Sequence, residues 1–161
     1  MQEQPGNGEG DNEVWPGAAE PCDKSGGDHH GKVADGIVAA AREIAETTEI
    51  KAICCFTQSG TTATLTARER PRVPIIAMTS VRRTARRLAL TWGTYCVMTD
   101  ELTRFKSAVV SAARAARASG LAGEKDQIVV TAGVPFNIPG TTNILRVAPC
   151  EERLIYASDP E

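Results

Sequence analysis

Apolar and polar positions along the chain fall into blocks whose period changes. Between Ala34 and Thr47 the apolar residues Ile37, Ala40, Ala41, Ile44 and Ala45 recur at helical spacing, with Arg42, Glu43 and Glu46 on the other face, which predicts an amphipathic helix. Lys51–Phe56 is a short apolar run of strand length; the hydroxyl cluster Thr57-Gln58-Ser59-Gly60-Thr61-Thr62 follows it, and then a helix-compatible stretch to Arg70. Pro71 and Pro74 stop that helix, and Ile75–Met78 reads as the next buried strand.

The alternation continues. Val81–Leu90 is helical in pattern, Gly93 ends it, and Thr94–Met98 is a strand. Asp100 is placed to cap a long Ala-rich helix that runs to Ser119, with Gly120 as the glycine just past its end. Gln127–Thr131 is another buried strand, and Asn143–Val147 the last, after a loop over 132–142. Short strands alternating with longer helices mean βαβ units and a parallel sheet covered on both faces. The final connection, with two prolines and no helical period, is too short and irregular for a parallel crossover, so the last strand is expected to be an antiparallel edge. The predicted fold is α/β: a three-layer α/β/α sandwich around a mostly parallel five-stranded sheet with the last strand antiparallel.

Composition adds a division that the pattern alone does not show. The chain has 161 residues and a formal net charge of −2. Residues 1–32 hold seven of its fourteen glycines, seven acids and two bases, and their large apolar side chains are Met1, Val14 and Trp15. That is too little apolar surface to offset the ordering entropy, about 1–2 kcal/mol per residue, so 1–32 is expected to be a disordered acidic Gly-rich head. The folded domain is then 33–150, and 151–161 a polar tail. No apolar run approaches the length of a membrane span and the first thirty residues lack a secretory core, so the expected location is cytoplasmic with no membrane contact.

Chemistry-bearing residues are few. The five cysteines have no C-x-x-C spacing, and those in strand runs read as small hydrophobes. His29-His30 sits in a solvated acidic stretch, so no metal is assigned. The body from 33 onward has no histidine, no G-x-S-x-G elbow and no ligand-spaced carboxylate cluster. Asp100-Glu101 reads as a helix start, and no catalytic residue is assigned. Arg82, Arg83, Arg86 and Arg87 form a basic stripe without interleaved aromatics, which reads as a solvated or partner-facing surface and not a nucleic-acid site. The best candidate site is the loop Thr57, Ser59, Gly60, Thr61 and Thr62: four hydroxyls around a glycine, leading into a helix N-terminus, meet the needs of a phosphate cradle. Equally, one of those hydroxyls can be a plain helix cap. The loop 133–142, with Pro139, Gly140 and Thr141, is the second candidate.

The stretches AICCFTQSGTT (Ala52–Thr62), Ala67-Arg68-Glu69-Arg70-Pro71, Val73-Pro74-Ile75-Ile76-Ala77, Thr84-Ala85-Arg86-Arg87 with Trp92-Gly93, and Val130–Pro135 with Pro139–Asn143 resemble the C-terminal domain of pyruvate kinase, in order, across residues 34–148. The resemblance implies a regulatory unit that binds a phosphorylated effector, AMP or a sugar phosphate, and makes subunit contacts in a tetramer. Its effector-phosphate loop corresponds to Thr57–Thr62 and its second effector loop to the Pro135–Thr142 region. The arginine that some relatives offer to a second phosphate falls near Ala108, so a monophosphate is expected. Asn137 stands where relatives commonly carry glycine. The family's magnesium and potassium belong to its catalytic barrel, whose K-I-E-N and R-G-D-L stretches do not occur here. No cofactor is therefore expected in this chain, nor transfer of phosphate from phosphoenolpyruvate to ADP by it alone. Two other readings stand beside this one: an interaction module that pairs with itself or with pyruvate kinase subunits, and a small hydrolase or transferase acting on a phosphate ligand.

Overall fold

In the computed structural model of the protein, the described residues are 29–101, 103–136, 138 and 141–157. The elements run α1 (His29–Thr47), β1 (Ile50–Phe56), α2 (Thr61–Arg68), β2 (Ile75–Thr79), α3 (Arg82–Leu88), β3 (Thr94–Met98), α4 (Phe105–Ala118), β4 (Gln127–Gly133), β5 (Thr142–Pro149) and α5 (Glu152–Ala157). The sheet order is β3-β2-β1-β4-β5, with β1 parallel to β2 and β4, β2 parallel to β3, and β4 antiparallel to β5. The expected five-stranded sandwich with a reversed last strand is therefore present.

Both faces of the central strands are covered, which is why β2 is buried at every position and β1 at every position but Lys51. On one face Ala41 and Ala45 of α1, Ala63 and Ala67 of α2 and Leu88 of α3 pack on Ile53, Cys55, Ile75, Ala77 and Val129. On the other, α4 and Ile155 of α5 pack on Cys54, Phe56, Ile76, Met78, Ile128 and Val130. The alternation of β1 thus sends its adjacent cysteines, Cys54 and Cys55, into opposite layers.

Most elements differ from the sequence reading by one or two residues at an end, and three differ by more. Helix α1 begins at His29, so 29–32 belong to it and not to the head; extending a nucleated helix adds a hydrogen bond per residue, and Gly31 costs only about 1 kcal/mol. Its buried positions are Ala34, Val38, Ala41 and Ala45, with Ile37 and Ile44 at the margin and Ala40 exposed. Helix α4 begins at Phe105, not Asp100: Arg104 is extended, and the residues ahead of it at 100, 101 and 103 are polar, with no face to bury. Gly120 does take the left-handed φ of +69° expected just past the helix end. Finally, 152–157, expected in the polar tail, form α5. Its apolar anchor Ile155 is fully buried, and Arg114 on α4 donates from Nε and Nη2 to the two carboxylate oxygens of Glu152, both at 2.7 Å. One buried residue in six leaves no period for a sequence to display. Residues 1–28 of the expected head lie outside the described residues.

Candidate functional site

The strand order puts the topological switch between β1 and β4. Helices α2 and α3 carry the chain from β1 outward to β3 on one face, and α4 brings it back across the other face to β4. A crevice opens at such a point, beyond the carboxyl ends of the strands. The two loops singled out from sequence are the ones that leave β1 and β4.

The first loop departs late from the sheet, because Thr57 N–H still donates to Met78 O at 3.0 Å. Gly60 N–H donates to Thr57 Oγ1 at 2.8 Å, closing a tight turn. Gly60 itself, at φ +90°, is the N-cap of α2, so the N-cap residue offers that helix no side-chain acceptor. A Cβ at Gly60 would lie 3.1 Å from Arg87 Nη2 and 3.3 Å from Leu88 and Thr84, a tight fit that these side chains would have to yield to, while the φ of +90° is what calls for glycine. Ser59 and Thr61 pair their hydroxyls at 2.9 Å on the exposed rim, and Thr61 N–H makes a long 3.4 Å contact with Ser59 Oγ. From behind, α3 braces the loop: Thr84 Oγ1 donates to Gln58 O at 2.6 Å, and Arg87 Nη2 donates to Ser59 O.

The second loop is held by its own side chains. Asn143 Oδ1 accepts Val134 N–H at 2.9 Å while its Nδ2 donates to Val134 O at 2.6 Å, and Thr141 Oγ1 donates to Ile138 O at 2.8 Å. A Cβ at Gly133 would come within 2.6 Å of Thr141 O, so the two arms of the loop approach closely there. Pro139 and Gly140, named from sequence, and Asn137 lie outside the described residues. The two loops meet through Thr62 and Thr142, whose buried hydroxyls are 2.6 Å apart.

Of the residues read from sequence, Thr57, Ser59, Thr62, Thr141 and Thr142 border one cleft. Gly60 and Thr61 instead border a shallow outer depression with Thr64 and Arg87. The far wall of the cleft is Thr79, Ser80, Thr99, Asp100 and Glu101. The sequence pattern does not point to these as site residues. Asp100 and Glu101 follow β3 at its carboxyl end, the position that lines a crevice in such a sheet, but their polarity next to an Ala-rich run suggests a helix start instead.

Hydroxyls and two carboxylates line the cleft, and among the described lining residues there is no lysine or arginine. An anion seated there would be held by hydroxyls and by the free amides of α2, with Arg87 contributing from the other side of the loop. Among the described residues no group of three or more His, Cys, Asp and Glu is arranged to hold a metal, and no helix is long and apolar enough to cross a membrane. Burial raises the pKa of the Cys54 and Cys55 thiols, and burial followed by Asp126 raises that of Cys150 to about 11, so none of the three offers a thiolate near neutrality.

Comparison with known proteins gives a consistent result. The family described as "Pyruvate kinase, alpha/beta domain" matches residues 35–148. A pyruvate kinase of Methylorubrum extorquens is 40% identical over 114 residues, covering 71% of this chain and 24% of the relative. One from Agrobacterium vitis is 41% identical over 111 residues, covering 69% and 23%, and one from Geobacillus stearothermophilus 37% over 115 residues, covering 71% and 20%. The chain thus spans about a quarter or less of the length of these relatives.

Proposed function

The chain belongs to the pyruvate kinase alpha/beta domain family, and from that premise we propose that it binds a phosphorylated small-molecule effector at the cleft between the β1 and β4 loops. The observation that carries the reading is the N-terminus of α2: it is capped by the left-handed Gly60, the one side chain on its first amide is Ser59 Oγ at a long 3.4 Å, and it opens at the switch point of the sheet. The phosphate sits on those amides and on the hydroxyls of Ser59, which borders the cleft, and of Thr61, which stands beside Ser59 at its outer rim.

The ligand is a monophosphate such as AMP or a sugar phosphate. A second phosphate would face Asp100 and Glu101, and the place to which the resemblance carries the second-phosphate arginine falls near Ala108, which is fully buried and does not border the cleft. The hydroxyls of a ribose or hexose, by contrast, can donate to those two carboxylates. Transfer of phosphate from phosphoenolpyruvate to ADP is not assigned to these residues. That reaction depends on positioning and charge neutralisation around the phosphoryl group, and the cleft offers its charge as carboxylates.

Calorimetric titration of the full chain with AMP, ribose 5-phosphate and fructose 1,6-bisphosphate tests the reading. The monophosphates bind more tightly than the bisphosphate, and Ser59→Ala or Thr61→Ala weakens them by about tenfold to a hundredfold, the loss expected for one hydrogen bond to a charged group. Binding that ignores both substitutions removes the loop from the site. Phosphoenolpyruvate-dependent phosphorylation of ADP by the purified chain would overturn the reading of this segment as a binder.

A further inference from the structure

Helix α3 carries more positive charge than the fold needs. Arg82, Arg83, Arg86 and Arg87 are all exposed, and Arg87 alone of the four has a partner among the described residues, the Ser59 carbonyl. The sequence from 73 to 98 holds no acid, and the three other arginines nearby, Arg68, Arg70 and Arg72, come at and after the carboxyl end of α2, with Arg70 over the Trp92 ring and Arg72 paired with Glu46. Half-exposed Val81 and Trp92 and the 92%-exposed Leu90 stand at the two ends of α3. The surface is therefore a basic strip with apolar flanks, next to the hydroxyl loop.

Residues 1–28 are its complement. They hold seven acids and one lysine, and Val14-Trp15-Pro16 is set between Glu9, Asp11 and Glu13 on one side and Glu20 and Asp23 on the other. The segment joins the fold on the correct face and at the correct end. Helix α1 packs in the same layer as α2 and α3. Its first turns lie at the carboxyl ends of the strands, where Val33 borders Val134, Pro135 and Ile138. Arg82 and Arg83 open α3 at that same end, directly after β2. A five-stranded sheet is about 20 Å across at about 4.8 Å per strand. A chain of 28 residues has a root-mean-square span of about 30 Å, so the strip is within easy reach.

We propose that the acidic segment 1–28 docks on the arginine face of α3 of its own chain. The carboxylates pair with Arg82, Arg83 and Arg86, and Val14-Trp15 lies against the apolar flank. Tethering raises the local concentration of the segment to the millimolar range, so individually weak surface pairs suffice to hold it.

Trp15 and Trp92 are the two tryptophans of the sequence, so Trp92→Phe in the full chain leaves Trp15 as the sole reporter. Its quenching by neutral acrylamide is measured at about 10 mM and about 1 M sodium chloride, where the screening length falls from about 30 Å to about 3 Å. Trp15 is protected at low salt, and its quenching constant rises at least about twofold at high salt or in R82Q/R83Q/R86Q. Glu9→Gln/Asp11→Asn/Glu13→Gln, which leaves the folded body untouched, gives the same rise. A quenching constant indifferent to salt and to both sets of substitutions overturns the proposal. So does protection that grows with protein concentration, which assigns the strip to the segment of a second copy.

Discussion

Thr62 and Thr142 stand 80 residues apart in sequence and 2.6 Å apart in space, and each is buried. Their hydroxyls satisfy one another at the join of the two loops, so removing one strands the other. Thr62→Val should cost about 1–3 kcal/mol in urea unfolding, the penalty for a buried hydroxyl without a partner, whereas Thr62→Val/Thr142→Val should recover most of it. A double variant no more stable than the single would show that the pair does not hold the loops together. Gly60 acts nearby by a different cause. Its φ of +90° and the 3.1 Å approach to Arg87 make Gly60→Ala cost about 1–2 kcal/mol or more, measured by the same unfolding. At this scale the sequence is readable where a residue type has one job. Gly60 follows directly from a hydroxyl-rich loop that precedes a helix. The pairing of Thr62 with Thr142 does not, because Thr is common in loops and the contact depends on how β4 comes to lie beside β1.

Elements announce themselves by period, which sets what the sequence shows of them. The strands are short apolar runs between turn residues, and β3 follows the pattern to the residue, Thr94–Met98. The ends of α4 and the existence of α5 depend instead on tertiary contacts: where the apolar face begins at Phe105, and where a lone Ile155 finds the core. Helix α5 is held there by Arg114 and Glu152. Hydrogen bonding to Arg114 lowers the pKa of the Glu152 carboxyl, and the same bond raises that of the guanidinium. A carboxyl whose folded pKa is depressed adds stability above its unfolded pKa, about 4.3, and loses it as pH falls through the folded value. The melting temperature of the native chain should therefore fall more steeply than that of Glu152→Gln between about pH 5 and about pH 3, and the two should converge in acid. Parallel profiles would mean the clamp contributes nothing. Ile155→Ala, which empties a buried site in the α4–α5 layer, should cost about 2–5 kcal/mol in urea unfolding.

Across the whole molecule the decisive quantity is the distribution of charge, which the net value of −2 hides. The arginines of α3, Arg82, Arg83, Arg86 and Arg87, flank the hydroxyl loop that Arg87 and Thr84 brace, while the cleft itself presents Asp100 and Glu101. On the proposed effector reading, an anionic ligand would be drawn toward the site by that face and selected within it by the carboxylates, which would favour a single phosphate with hydroxyls attached. An acidic segment docked on α3 cancels the first of these effects and leaves the second intact. Neutralising Glu9, Asp11 and Glu13 in the full chain should then tighten AMP binding by about threefold to tenfold at low ionic strength, and the gain should vanish near 1 M salt, where the flank is screened. The preference for AMP over fructose 1,6-bisphosphate should survive at both salt concentrations, since it arises from carboxylates in the cleft and not from the long-range field. Equal affinity of the neutralised and native chains at low salt would separate the two ideas: the effector site would stand, and the acidic segment would have no hold on it.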